Sequence, residues 1–174
     1  FYAAGKTPIS ALPIGEFFSG FTMGFMIFFI TVFLNLANKG LMSVQVLWQS
    51  FLAAGLSTFA ISALLLANNI CDQKEDLQLK RRTVVYYIGT KKALIAFDSF
   101  YILGYLCLII AVALSALPFL SLLSLLSIPI VWKNVIKFNK KQVKKETFQL
   151  AVKNLIISSL FQTIALFLGL IFHF

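Results

Sequence analysis

Five apolar runs, Phe17–Leu36, Leu47–Ala67, Ala93–Leu114, Leu117–Val131 and Leu150–Phe172, organise the chain, and polar stretches divide them. Each comes near the roughly 20 residues that a helix needs to cross a bilayer, the fourth being the shortest. None shows the period-two polar alternation of a barrel strand, and backbone groups in lipid must be satisfied within their own segment. The pattern therefore predicts an all-α, polytopic transmembrane bundle of five helices. Gly5, Pro8, Pro13 and Gly15 prevent a long helix before Glu16, so residues 1–16 read as an approach segment. Asn38-Lys39-Gly40 reads as a short outer loop, with Trp48 near the membrane interface. Tyr86 to Lys92 lead into the third span, Pro118 marks a tight turn, and Trp132 opens a Lys-rich loop before the last span. There is no internal repeat, and the only compositional bias is Leu and Ser over Leu117–Ser127.

Composition agrees with this reading. Of the 174 residues 60% are hydrophobic and 12% charged, about half the roughly 25% charged share of soluble domains, and the mean hydropathy is +0.91. If the helices alternate, fourteen of the fifteen Lys and Arg residues fall on one side: Lys6, the group from Lys74 to Lys92, and the group from Lys133 to Lys153. The other side holds only Lys39. That bias predicts cytoplasmic basic loops, a carboxyl terminus outside, and a multi-pass protein of the cell membrane. A pI near 9.7 raises nucleic acid as a partner, but these charges flank membrane spans and form no binding module, so nucleic acid is excluded. Cys71 and Cys107 lie far apart and read as packing residues rather than a disulfide or a metal site. The chain opens on Phe1 and its first apolar run is not a signal peptide, so it reads as a piece of a longer protein.

The candidate chemistry lies between Leu66 and Thr83, where an apolar helix runs into two carboxylates and then a basic cluster. Asn68, Asp72 and Asp76 are spaced i, i+4, i+8 and fall on one helical face, with Asn69 close to Asp72 at i+3. Carboxylate and amide oxygens in that arrangement suit Mg²⁺, which commonly sits between protein carboxylates and substrate phosphates. Lys80, Arg81 and Arg82 could hold the remaining phosphate charge. The bland alternative is a polar cap on a membrane helix. Against it, a carboxylate within a span costs roughly 2.5–3.5 kcal/mol, and two at i, i+4 repel one another; a cation removes both penalties.

Asn68-Asn-Ile-Cys-Asp72-Gln-Lys-Glu-Asp76, followed by Arg81-Arg82-Thr83 and Gly89, resembles the second aspartate-rich motif of the UbiA superfamily of intramembrane prenyltransferases. Its Asn-Asn-Ile-x-Asp-x-x-x-Asp form is most similar to the 1,4-dihydroxy-2-naphthoate prenyltransferases of menaquinone biosynthesis. Tyr2-x-x-Gly5-x-x-Pro8-Ile9-Ser10, with Gly15-Glu16 and Gly24, resembles the segment leading into the fifth span of those enzymes. The resemblance implies about nine transmembrane helices, so residues 1–174 would be the carboxyl-terminal portion, five helices of the nine, without the first aspartate motif. It also implies Mg²⁺ as cofactor, a polyprenyl diphosphate donor and an aromatic acceptor. The metal ions would hold the diphosphate and neutralise it as the C–O bond breaks, and the ring would attack the allylic cation in an apolar cavity. In the naphthoate branch the attacked carbon loses CO₂, giving a demethylmenaquinone.

On this resemblance Asp72 and Asp76 are the catalytic metal ligands, and Asn68 and Asn69 are auxiliary ligands or orienters. Lys74, Arg81 and Arg82 are diphosphate partners, and Lys74 could equally be a solvated loop charge. Where the family commonly has Gly-Lys-Arg-Thr, this chain has Lys80-Arg81-Arg82-Thr83, which keeps charge and loses the glycine. With half of the metal site, the chain alone would be inactive. Asp98 could touch the diphosphate network or pair with Lys91, Lys92 or another helix, and Glu16 is similarly open. The Lys133–Lys145 cluster reads as an orientation determinant, Ser158 and Ser159 as helix-packing contacts, and most of the 19 Phe residues as facing lipid or neighbouring helices. His173 lies beyond any site. Two competing functions are prenylation of 4-hydroxybenzoate or another aromatic acceptor, and ion-coupled transport through intramembrane carboxylates.

Overall fold

The computed structural model describes residues 12–172. Lys6, the Tyr2–Ser10 part of the family-like segment, and His173 lie outside the described residues. Five helices are long and apolar enough to cross a membrane: α1 (Gly15–Lys39), α2 (Val44–Cys71), α4 (Val84–Ala113), α5 (Phe119–Lys140) and α6 (Phe148–Phe172). A short helix, α3 (Gln73–Gln78), joins α2 to α4. No strand occurs among the described residues.

The centre of the bundle is α2, buried along most of its length by α1, α4 and α6. Its sequence permits this because Ala53, Ala54, Gly55, Ala60, Ala63 and Ala67 are small and buried. Helices in lipid associate by close packing rather than by hydrophobic exclusion, so small side chains let backbones approach. A Cβ on Gly55 would lie 2.3 Å from Cys107 Cβ, and one on Gly24 would lie 2.4 Å from Thr58 Cα. Cys107 is thus a packing residue, and both cysteines are free thiols. Toward the motif end of the bundle Leu66, Ile70, Phe97, Tyr101, Val135 and Phe138 form one core, with Phe97 and Phe138 ring centroids 4.8 Å apart.

Three elements depart from the hydropathy pattern. First, α1 contains a π-helical stretch, Gly20–Met26, where Gly20 and Gly24 pass Ser62 and Thr58; such wide turns are rare and usually short. Second, α4 begins at Val84, well before the apolar run, and crosses a break at Gly89 with φ 75° and ψ 161°, a conformation essentially restricted to glycine. Third, the stretch after Trp132 is not a loop. It continues α5, whose first part, Phe119–Ser127, is 3₁₀ and whose second, Ile128–Lys140, is an α-helix. Val131, Val135 and Phe138 recur at helical spacing and are buried, while Lys133, Lys137 and Lys140 stay exposed. An amphipathic helix satisfies both sets, so the apolar seam overrides the lysine content.

Candidate functional site

The i, i+4, i+8 row does not sit on one unbroken helix. α2 ends at Cys71, and Asp72, at φ −92° and ψ 4°, is the joint that leads into α3. Backbone bonding continues through it: Asp72 N–H donates to the Asn68 carbonyl and Asp76 N–H to the Asp72 carbonyl, each at 2.9 Å. The motif falls into two pairs with different surroundings.

Asn68 and Asp72 form an outer, half-buried pair. Asn68 Nδ2 donates to Asp72 Oδ2 at 3.0 Å. Lys144, from the loop between α5 and α6, places its ammonium on both: 2.5 Å from Asp72 Oδ2, and in hydrogen-bond contact with Asn68 Oδ1. Asn69 and Asp76 form an inner pair, each 3% exposed. Asn69 does not turn to Asp72; its Nδ2 donates to Glu16 Oε1 at 2.8 Å, across from the first turn of α1. Asp76 Oδ1 lies 3.3 Å from Arg81 Nη1. Glu16 Oε2 and Asp76 Oδ2 are buried with no hydrogen-bond partner among the described residues. Burial pushes the Asp76 carboxyl above the usual carboxylate range; Arg81 pulls it back, and the Asp72 charge adds to the rise.

The basic residues separate in the same way. α3 closes with the 6→1 and 5→2 bonds of a Schellman turn: Arg81 N–H donates to the Asp76 carbonyl at 2.8 Å and Lys80 N–H to the Leu77 carbonyl at 3.2 Å. Lys80 is therefore left-handed, with φ 57°. Glycine suits this position because of backbone conformation, and with lysine there the turn is still made. The turn brings Arg81 back against Asp76. Arg82 is exposed and lies over the Tyr86 ring, 5.6 Å from its centroid. Lys74 is exposed and has no ion-pair partner among the described residues.

Two residues open or unassigned in the sequence belong here. Glu16 carried a signal, a carboxylate at the start of an apolar run. Lys144 carried none, being one of many lysines in its cluster. Asp98 faces neither Lys91 nor Lys92; Asn139 Nδ2 of α5 lies 2.9 Å from both of its carboxylate oxygens. Ser158 is buried and bonds the Leu155 carbonyl of its own helix.

Among the described residues no group of three or more His, Cys, Asp or Glu is placed to hold a metal. The donors are all carboxylate and amide oxygens, and two of the buried carboxylate oxygens are unpartnered. That chemistry fits a hard divalent cation as part of a coordination shell.

Residues 7–170 match the UbiA prenyltransferase family. The chain is similar to the 1,4-dihydroxy-2-naphthoate octaprenyltransferase of Bacillus subtilis (strain 168), with 30% identity over 105 residues, 60% of this chain. That stretch is 32% of the relative's length. No solved structure matches the chain. With the match running through nearly all of the described helices, the chain belongs to the UbiA prenyltransferase family.

Proposed function

We propose that this chain is the carboxyl-terminal, five-helix portion of a nine-helix enzyme that transfers a polyprenyl group from its diphosphate to 1,4-dihydroxy-2-naphthoate in menaquinone biosynthesis. The observation that carries the reading is the buried Asp76 carboxylate, with one oxygen on Arg81 and the other unpartnered among the described residues, one helical turn from Asp72. An oxygen-rich face next to a guanidinium suits a cation–diphosphate complex: the carboxylates meet the metal and the arginine meets phosphate. Asp72 and Asp76 would be the ligands of Mg²⁺, with the amide oxygens of Asn68 and Asn69 completing their side of the shell. When bound, Mg²⁺ supplies Lewis-acid neutralisation of the diphosphate leaving group. Arg81 is held by the Schellman turn, and Arg82, free to leave Tyr86, binds phosphate beside it. Lys74 follows the diphosphate as a solvated charge.

The apolar walls serve the other half of the reaction. A groove of about 500 Å³ between α1, α2 and α6 is lined by Met23, Ile27, Phe28, Ile61 and Leu166. Such a surface holds a prenyl chain and keeps water from the allylic carbon. The motif, Glu16 and the Lys144 loop meet at one end of the bundle, which we place on the cytoplasmic side with the basic loops. Since the chain spans about a third of its naphthoate-prenylating relative, residues 1–174 alone are taken to be inactive.

The test is a Mg²⁺-dependent prenylation assay on membranes carrying the protein in its full natural length. 1,4-Dihydroxy-2-naphthoate and 4-hydroxybenzoate are offered in competition, and products are identified by mass. A decarboxylated, prenylated naphthoquinol is expected, with turnover lost in Asp72→Asn/Asp76→Asn while membrane insertion is retained. A prenylated hydroxybenzoate would move the acceptor, and full turnover in the double variant would overturn the site.

A further inference from the structure

Lys144 is held in place by its own loop. Val143 N–H donates to Thr147 Oγ1 at 2.8 Å, and the amides of Glu146 and Thr147 return to the Val143 carbonyl at 3.0 and 2.8 Å. Lys141 pairs with Glu146 at 2.6 Å, and Gln142 Nε2 donates to the carbonyls that end α5. This net fixes the backbone around residue 144. The side chain then passes over the Phe148 ring, with the ammonium 4.7 Å from its centroid, and ends on Asn68 Oδ1 and Asp72 Oδ2. Lys140 and Lys145, close by in sequence, stay exposed. A lysine ammonium is a compact cation with three donors, and its partners are two oxygens already assigned to the metal.

We propose that Lys144 is a tethered counter-cation of the outer pair: it neutralises Asp72 in the absence of metal, gives way to the divalent ion, and then binds the diphosphate that arrives with it. The inference rests on the metal-site reading above. It follows from electrostatics, since two cations on the Asn68–Asp72 oxygens repel one another and so compete for them. A displaced ammonium on a fixed loop has the incoming anion as its nearest alternative partner. Lys144 is thereby a binding residue for both states, and it couples metal entry to anion entry.

The experiment measures Mn²⁺ binding by electron paramagnetic resonance to the purified, full-length protein in lipid nanodiscs, with and without inorganic diphosphate. The variants are Lys144→Met and, as a control for general surface charge, Lys145→Met. Lys144→Met is expected to bind Mn²⁺ alone about fivefold more tightly than wild type, near the upper end for a partly exposed charge pair. It should bind diphosphate in the presence of Mn²⁺ more weakly, while Lys145→Met matches wild type in both. Unchanged or weaker Mn²⁺ binding in Lys144→Met overturns the proposal, as does an equal effect from Lys145→Met. If no variant binds Mn²⁺ even with diphosphate, the metal-site reading falls and this inference falls with it. Metal binding that is indifferent to Lys144 leaves the metal site standing and removes the inference alone.

Discussion

Replacing Glu16 tests how the inner pair is held. Glu16 is 4% exposed, and its Oε1 is the acceptor for Asn69 Nδ2 at 2.8 Å. Glu16→Gln and Glu16→Ala both remove the charge, but only the glutamine keeps a carbonyl oxygen where Oε1 stands. Their difference therefore isolates the hydrogen bond and the side-chain packing. Leaving the Asn69 amide buried without an acceptor costs about 1–3 kcal/mol, and losing one buried methylene adds about 0.8 kcal/mol. Glu16→Ala should thus be less stable than Glu16→Gln by roughly 2–4 kcal/mol. The functional arm has the same logic. An unanchored Asn69 misplaces its amide oxygen, so turnover should fall by about one to two orders of magnitude in the alanine variant and stay within a few fold in the glutamine variant. The assays are denaturation of the full-length protein in detergent and initial rates of prenylation. Equal stability and equal turnover in the two variants would refute the argument and leave Glu16 a bystander at the start of α1.

Two further expectations follow from the same end of the bundle. Lys80→Gly should raise stability by about 1 kcal/mol, because the left-handed conformation costs a non-glycine residue about 1–2 kcal/mol and glycine gives back part of that in chain entropy; a lower denaturation midpoint would contradict the Schellman reading. Asp76→Asn should change the pH dependence of stability. The native carboxyl is raised above its unfolded value of about 3.8, chiefly by burial, so the folded state holds this proton more tightly. Stability from this group is then fully present below the unfolded pKa and falls as pH rises through the native one. The difference in denaturation midpoint, variant minus wild type, should accordingly increase with pH over that window and then level off. A decrease would mean that Arg81 outweighs burial.

Helix existence was legible because length and apolar content alone decide whether a segment can cross lipid. Helix ends were not. Residues 84–92 are too polar to register as part of a span, yet α4 starts there as a short helical lead-in, which the non-helical Gly89 separates from the apolar part. The stretch 132–140 looked like a loop because its lysines dominate a hydropathy average. The seam of Val131, Val135 and Phe138 is visible only as a helical period, and it packs on Phe97 of α4. In both places an average over a window hid a pattern within it.

The site divides along a similar line. Spacing placed Asn68, Asp72 and Asp76 together, and the backbone bonds through Asp72 keep that order. Spacing could not foresee the joint at Asp72 that leads into α3, which docks against α4 where Thr90 Oγ1 donates to Gln73 Oε1 at 2.8 Å. Nor could it find the partners of each pair, since Glu16 and Lys144 are 53 and 76 residues from the asparagines they bond. The loss of glycine at position 80 shows the converse. As a sequence feature it is an exchange of glycine for charge, but a φ of 57° at Lys80 shows that glycine suits this position as the end of α3. What the position serves is the return of Arg81 to Asp76, and a lysine that accepts the strained conformation preserves it.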